Sequence, residues 1–192
     1  MTGHAIVATI AELYLEPTVL PTLCSILDPL RIGEACSLAS VASWADHIKN
    51  ETKWSGTAAL HFANAVDDHP PQACLFPGDK GWQGSKGANV LAGIRNTTNS
   101  LSRWVQDGED LSDPAASESL KFLVHFLGDV HMPFHLTGRE RGANNVRVLW
   151  GENEVRKYSR FRCSWNALTL QNRIASNVGC GHRGEGYRNN SL

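Results

Sequence analysis

Several features that would narrow the class of this protein are missing from its sequence. No stretch approaches the roughly 20 consecutive apolar residues that a membrane-spanning helix needs, so we expect no membrane partner. The formal net charge is -1, which excludes a strongly basic surface for binding nucleic acid. A nucleic-acid binder of this composition would have to rely on local charge or on metal ions. No signal peptide is visible, because Met1 directly precedes a helical pattern.

Paired cysteine motifs are missing as well. The five cysteines form no C-x-x-C pair, and their odd number leaves at least one thiol without a partner inside the chain. Acceptor triplets for N-glycosylation begin at Asn50, Asn96 and Asn189, as in many secreted glycoproteins. The length of 192 residues suits one domain, which we place at residues 1–176. Residues 177–192 are rich in glycine and arginine and are predicted to be a disordered tail.

The stretch from Ser119 to Asn144 contains the most informative pattern. Its first part is apolar nearly all round, which predicts a buried helix, with Ser117 or Ser119 as its N-cap. His125 and Asp129 interrupt the apolar run four residues apart, so they share one helix face. A buried carboxylate needs a strong partner. Histidine and aspartate at this spacing are well suited to hold a metal ion.

The rest of the chain predicts a mainly α fold with a small β-hairpin. Helical periodicity covers Gly3–Leu13, Ser37–Ile48 and Asn89–Val105. Val146–Trp150 alternates like a strand, with Gly151 at a hairpin turn. We therefore expect a helical domain in which strands contribute little.

Three further polar residues have ordinary explanations when each is taken alone. His4 would be a surface histidine near a terminus, and His61 a hydrogen-bonded core residue. Asp46 lies near the end of the predicted helix Ser37–Ile48, where the helix dipole opposes a carboxylate, so a cation should face it. Pairing with Lys49 or with solvent would also explain this aspartate.

The order of the segments around these residues changes their interpretation. GHAIVATIA begins at Gly3, ASWADHIK spans 42–49, LHF spans 60–62, FLVHFLGDVHMPFH spans 122–135 and GAN spans 142–144. In this order they resemble the S1/P1 nuclease family over roughly residues 3–150. These are zinc-dependent, mostly extracellular nucleases whose compact helical fold is shared with bacterial zinc phospholipase C. The resemblance therefore implies a zinc-binding, mainly helical domain.

The resemblance also implies roles for individual residues. Family members hold up to three zinc ions, two of them bridged by an aspartate. The positions that match ligands of the first zinc are Asp46, His61 and His125. Asp129 matches the bridging carboxylate, and His4 matches a ligand of the bridged partner zinc. His135 matches a ligand of the separate third zinc.

Four more positions match the family near the substrate. Lys49 stands where the family has a basic residue close to the reacting phosphate, so Asp46, Lys49 and Asp129 are the expected catalytic residues. Phe62, Asn64 and Asn144 match positions that bind nucleotide, although the family usually has aspartate at the Asn64 position. An aromatic side chain beside the metals offers a stacking surface for an unpaired base.

The sequence departs from the family in ways that weaken the site. The N-terminal tryptophan that chelates one zinc of the bridged pair is missing, and Arg160 and Asn166 stand where the third zinc has a histidine and an aspartate. We therefore expect two or fewer fully liganded zinc ions. The family continues with further helices beyond Asn177, including the cysteine partner of Cys74. These departures predict an incomplete or divergent copy with reduced activity.

The resemblance implies a zinc-dependent endonuclease that hydrolyses single-stranded DNA and RNA to 5′-nucleotides, secreted and monomeric. A non-catalytic remnant that binds zinc or nucleotides is the alternative. A lipid phosphoesterase of the same fold is a further possibility, which Phe62 disfavours. An all-helical domain whose histidines only fill the core would not explain six matched ligands in order.

Overall fold

The fold is mainly α-helical, as the sequence predicts. The structure, a computed structural model, describes residues 2–28, 30, 36–65, 81, 88–138, 142, 147–150 and 153–156. The α-helices in this part of the chain are α1 (Thr2–Tyr14), α2 (Val19–Leu27), α3 (Trp44–Ile48), α4 (Val90–Gln106) and α5 (Pro114–Val130). Short 3₁₀ helices span Leu38–Ser40, Thr52–His61 and Pro133–His135. The expected tail at 177–192 lies outside the described residues.

The predicted hairpin is present. Strands β1 (Arg147–Trp150) and β2 (Asn153–Arg156) pair antiparallel, with Arg147 opposite Arg156 and Trp150 opposite Asn153. The two strands form a two-stranded sheet, and the remaining described elements are helical. The fold class is therefore confirmed, with strands in a minor role.

Helix α5 is the central element, and each of the other four α-helices packs against it. The helix begins at Pro114, and the side chain of Asp113 caps it by accepting a hydrogen bond from the Ala115 N–H at 2.8 Å. The cap predicted at Ser117 or Ser119 is therefore wrong. Aspartate followed by proline starts the helix one turn earlier, since proline at the first helical position lacks only an N–H that would be unpaired anyway.

Two apolar clusters lie on either side of α5. The first is formed by α1, α2, α4 and α5 and contains Ala8, Ile26, Leu38, Ala42, Trp104, Ala116, Leu120 and Val124. The second joins α3, α4 and α5 and contains Ala45, Ile48, Ala63, Val90, Phe122 and Phe126. Because α5 contributes to both clusters, the polar residues of its last two turns are enclosed by packed helices.

The helix predicted over Ser37–Ile48 is broken into two pieces. Ser37 caps the 3₁₀ helix Leu38–Ser40 by accepting a hydrogen bond from the Ala39 N–H, and a turn separates it from α3. Asp46 therefore lies in the first turn of α3, where the helix dipole favours a carboxylate. The prediction that the dipole opposes Asp46 is wrong.

A disulfide bond joins Cys24 of α2 to Cys36, just before the first 3₁₀ helix. Sequence spacing alone did not predict this pair, while Cys74, which the resemblance pairs outside this chain, lies outside the described residues. The bond anchors the chain at the start of the segment that leads to Ala42 and Asp46. It therefore holds one side of the polar centre described below.

Removing this disulfide should lower stability. For Cys24→Ala/Cys36→Ala we expect a loss of about 2–3 kcal/mol in the free energy of unfolding, because the bond closes a loop with a sequence separation of 12. Urea unfolding with and without reductant measures it. Reduction should shift the midpoint of the native chain and leave the double variant unchanged. Equal midpoints for both oxidised proteins would contradict the prediction.

Helix α1 exposes two of the apolar side chains that give its sequence a helical period. Ile10 is 50% exposed and Leu13 77% exposed, whereas His4 and Ala8 are buried against α5. The periodicity correctly predicts a helix, but the residues of α1 that are described as fully buried are a histidine and an alanine. None of the described helices is long and apolar enough to cross a membrane.

Candidate metal centre

A buried carboxylate, that of Asp129, lies at the centre of four histidines. Asp129 is 0% exposed. The histidine nitrogens nearest its carboxylate oxygens are His4 Nε2 at 2.9 Å, His61 Nδ1 at 3.1 Å, His125 Nε2 at 3.3 Å and His135 Nδ1 at 3.4 Å. All four histidines are at most 7% exposed. Burying this many polar side chains is expensive, so the cluster needs an explanation beyond packing.

The cluster residues come from five separate elements. His125 and Asp129 lie four residues apart on α5, as the sequence predicts. His4 comes from the first turn of α1, His61 ends the 3₁₀ helix Thr52–His61, and His135 ends the 3₁₀ helix Pro133–His135. Asp46 joins from α3. Residues so far apart in sequence meet here because every one of their elements contacts α5.

Aromatic packing fixes the position of α3. Trp44 lies edge-on to Phe122 of α5, with ring centroids 5.1 Å apart, and Trp54 contacts both rings at 5.4–5.7 Å. Edge-to-face arrangements of this kind are the favoured geometry for aromatic pairs. Asp46 follows Trp44 by two residues, so this aromatic cluster sets where its carboxylate lies.

Backbone carbonyl groups orient two of the histidine rings. His125 Nδ1 donates a hydrogen bond to the Ala42 carbonyl at 2.7 Å, so its Nε2 faces the cluster. His135 Nδ1 donates to the His61 carbonyl. Metal-binding histidines characteristically use their second nitrogen as His125 does, because the bond fixes the tautomer and the ring orientation.

The donor set and its spacing fit a metal ion. The nitrogen atoms His61 Nδ1 and His125 Nε2 are 3.0 Å apart, and each is 3.9 Å from Asp46 Oδ1. Ligands about 2.0–2.2 Å from a tetrahedral zinc ion lie roughly 3–4 Å from one another. A second group, His4, His125 and Asp129, also has its ligand atoms within 4.8 Å of one another.

One ring nitrogen of the cluster has no partner. His61 Nε2 is buried and has no hydrogen-bond partner among the described residues. A buried polar atom without a partner costs free energy, and a metal ion on His61 Nδ1 would not recover that cost. Histidine and carboxylate donors suit zinc and neighbouring transition metals.

The electrostatics of the cluster match its geometry. Burial alone would raise the pKa of Asp129, but hydrogen bonds from His125, His4 and His61 outweigh it and hold that pKa well below its ordinary value. Burial would lower the pKa of His125, but the hydrogen bond and charge of Asp129, together with the charge of Asp46, raise it. The carboxylate therefore stays ionised and attracts positive charge to this position.

Lys49 lies at the solvent side of the cluster, and Phe62 is the exposed residue that follows His61. Lys49 Nζ is 2.7 Å from Asp46 Oδ1, and its side chain is partly exposed. Phe62 is 38% exposed, although its neighbours His61 and Ala63 are buried. Its backbone is held on both sides, because its carbonyl accepts the Val90 N–H at 3.0 Å and the next N–H donates to the His135 carbonyl at 2.7 Å.

The structure brings together six of the ten residues that the sequence singles out. These are His4, Asp46, His61, His125, Asp129 and His135. Lys49 borders them, Phe62 is exposed next to His61 in the chain, Asn64 is partly buried two residues further on, and Asn144 lies outside the described residues. Their roles stay predictions, since a shared location does not assign a function.

Two contacts within the cluster were not predicted from the sequence. His135, expected at a separate third zinc, contacts Asp129 directly in this structure. The carbonyl of Ala42, which orients His125, belongs to a residue with no chemical signature of its own. Backbone groups carry no sequence signal, so only the folded chain reveals them.

Comparison with known proteins agrees with these features. The family model for the S1/P1 nuclease matches residues 1–165. Nuclease P1 of Penicillium citrinum is 35% identical over 148 residues, covering 77% of this chain and 51% of that protein. Endonuclease 3 of Arabidopsis thaliana is 33% identical over 155 residues, covering 80% and 49%. Nuclease S1 of Aspergillus oryzae is 34% identical over 151 residues, covering 77% and 47%.

This chain spans about half the length of the curated relatives that it matches. The matched part includes the helices and every residue of the histidine and aspartate cluster. A family model that covers most of a chain, and relatives above 30% identity over more than two thirds of it, establish common descent. The resemblance seen in the sequence is thereby confirmed: this chain belongs to the S1/P1 nuclease family.

Proposed function

We propose that this chain is a zinc-dependent phosphodiesterase that cleaves single-stranded DNA and RNA to 5′-nucleotides. The observation that carries the proposal is the buried Asp129 carboxylate, surrounded by four histidine nitrogens at 2.9–3.4 Å. Relatives that carry the name nuclease P1, nuclease S1 or endonuclease support it. The chemistry that zinc would supply here is activation of a water molecule near neutral pH and neutralisation of phosphoryl charge.

The position of each residue in the cluster suggests which zinc ion it would bind. Asp46, His61 and His125 would hold one zinc, and His4 with Asp129 a second. Asp129, which has one oxygen near His4 and the other near His61, would serve both. His135 would complete the cluster beside the same Asp129 oxygen that faces His4. The ligands are thus held in place before substrate binds, which lowers the cost of assembling the site.

Two rim residues would act on the substrate. The Lys49 ammonium, close to Asp46, would attract the phosphate and offset its charge during cleavage. Phe62 presents an exposed ring on a fixed backbone, which suits stacking on an unpaired base. Bases inside a duplex already stack on each other, so this contact favours single strands. Asn64 and Asn144 are the proposed nucleotide-binding neighbours.

We also propose that the protein is a secreted, monomeric glycoprotein. The Cys24–Cys36 disulfide suits an oxidising compartment, since cytosolic thiols are normally kept reduced. The acceptor asparagines Asn50 and Asn96 are exposed on the surface, as glycosylation requires. Residues 1–176 remain the proposed nuclease domain.

The test is release of acid-soluble nucleotides from heat-denatured DNA and from RNA. We expect release that a chelator abolishes and added zinc restores, with much slower release from native duplex DNA. Mass spectrometry of the products should find 5′-phosphates. Equal rates on native and denatured DNA would refute the single-strand preference, because stacking on Phe62 requires an unpaired base.

Zinc content, measured on the same preparation, separates the enzyme from the alternative. A chain that binds zinc but releases no nucleotide is the non-catalytic remnant. A folded chain that binds no zinc would overturn the metal site itself. Activity that survives complete removal of metal would overturn the proposed mechanism.

A further inference from the structure

Gly128, the residue before Asp129, lies against α1 inside the last turns of α5. Glycine is a poor helix former, so its presence within a helix calls for a packing reason. A Cβ atom at this position would lie 2.8 Å from His4 Cγ, closer still to His4 Cδ2, and 3.2 Å from His4 Cα. Neither ring atom could stay where it is. The missing side chain is therefore what lets the His4 ring rest on the α5 backbone.

This close approach determines where His4 points. The ring lies over that of His125, with centroids 4.3 Å apart and planes inclined by 23°. In that position His4 Nε2 reaches Asp129 Oδ1 at 2.9 Å. The ring thus packs against the α5 backbone at Gly128 and against the ring of His125.

We infer that Gly128 is a positioning residue for one half of the metal centre. The bare α5 backbone at this point seats His4 beside Asp129, and any side chain here pushes His4 away from that carboxylate. Asp46 and His61 lie on other elements and do not depend on this contact. The inference rests on the proposed function only in that the cluster binds zinc.

Gly93 provides a matched control. It lies on α4, which also packs against α5, and a Cβ there would meet Phe126 Cε2 at 2.9 Å and Cδ2 at 3.0 Å. Alanine at either position therefore crowds an aromatic ring at a helix contact of α5, more tightly at Gly128 than at Gly93. The crowded neighbour is a metal ligand candidate in one case and a phenylalanine ring in the other.

The experiment measures zinc per chain by elemental analysis after dialysis, with zinc affinity from a competing chelator. For Gly128→Ala we expect zinc content to fall by about half, since His4 no longer serves its site while Asp46, His61 and His125 still do. Gly93→Ala should keep the zinc content of the native chain. Zinc content and affinity equal to the native chain in Gly128→Ala would overturn the inference. Loss of zinc in Gly93→Ala as well would also overturn it, because any crowding would then release the metal.

The double variant His4→Ala/Gly128→Ala covers the case in which Gly128→Ala does not fold. Without the imidazole ring, the added methyl group has lost its nearest neighbours. We expect the double variant to fold and to match His4→Ala in zinc content, which is the non-additive behaviour of two residues that act through one contact. A double variant that stays unfolded would show that the glycine serves general helix packing and would overturn the inference.

Failure of the proposed function gives a different result. A native chain without zinc overturns the metal site, and this inference with it. A native chain with zinc but no nuclease activity overturns only the catalytic proposal. The zinc measurements on the Gly128 and Gly93 variants then still decide the positioning role.

Discussion

Asp129→Asn should abolish both zinc binding and nuclease activity in a chain that remains folded. The substitution keeps the size of the side chain but removes the negative charge that four histidine nitrogens share. It also replaces one carboxylate oxygen by an NH₂ group, which cannot ligate a metal. Residues that only support a ligand typically contribute about 10–100-fold to metal affinity. Loss of a shared ligand should exceed that range, and nuclease activity should fall below detection.

Glu118→Gln is the matched control. Glu118 lies on the same helix, and its carboxylate pairs with Lys53 at 2.8 Å on the surface. The same acid-to-amide change there should leave zinc content and activity unchanged, because surface ion pairs contribute little. Circular dichroism checks that both variants fold. Full zinc occupancy in Asp129→Asn would show that this carboxylate is not a ligand and would remove the basis of the proposed mechanism.

Helix α5 shows how much of the candidate site could be predicted from the sequence alone. His125 and Asp129 were predictable as neighbours because helix geometry depends only on their spacing of four. Their burial was predictable too, since the surrounding residues 122–130 of α5 are otherwise apolar. In the structure both are 0% exposed. Local pattern sufficed here because both residues belong to one element.

Elsewhere local pattern was not enough. Periodicity over Ser37–Ile48 is helical, yet the Ser37 hydroxyl and the Glu12 carboxylate accept hydrogen bonds from the Ala39 and Leu38 N–H groups and so start a short 3₁₀ helix there. Serine and aspartate side chains compete with helical hydrogen bonds, so such breaks depend on contacts distant in sequence. The Cys24–Cys36 bond was unpredictable for the same reason.

The candidate site combines both kinds of information. Its residue types and order follow from the sequence, through the family resemblance. The distances around Asp129, the carbonyl that orients His125 and the contact between Gly128 and His4 follow only from packing. A glycine inside an apolar helix was the one sequence signal that could have indicated that contact.

Lys49→Gln should separate catalysis from metal binding. The ammonium of Lys49 lies 2.7 Å from Asp46 at the partly exposed rim, close to where a phosphate would meet the metals. Glutamine keeps a hydrogen-bond donor there but removes the positive charge. We expect kcat to fall by about 100–1,000-fold, the range seen when one stabilising donor is removed from an active site. Zinc content should stay that of the native chain, because lysine is not a ligand.

Two control variants are needed to interpret the Lys49→Gln result. Lys53→Gln removes a charge four residues further along, where the ammonium faces Glu118 and the ring of Trp54, and should leave kcat unchanged. Lys49→Arg keeps the charge and should recover part of the lost activity. Loss of zinc in Lys49→Gln would show instead that the lysine acts by holding the Asp46 carboxylate in place. Unchanged kcat would show that the phosphate approaches the centre from another side, and Phe62 would then have to be reconsidered as the stacking surface.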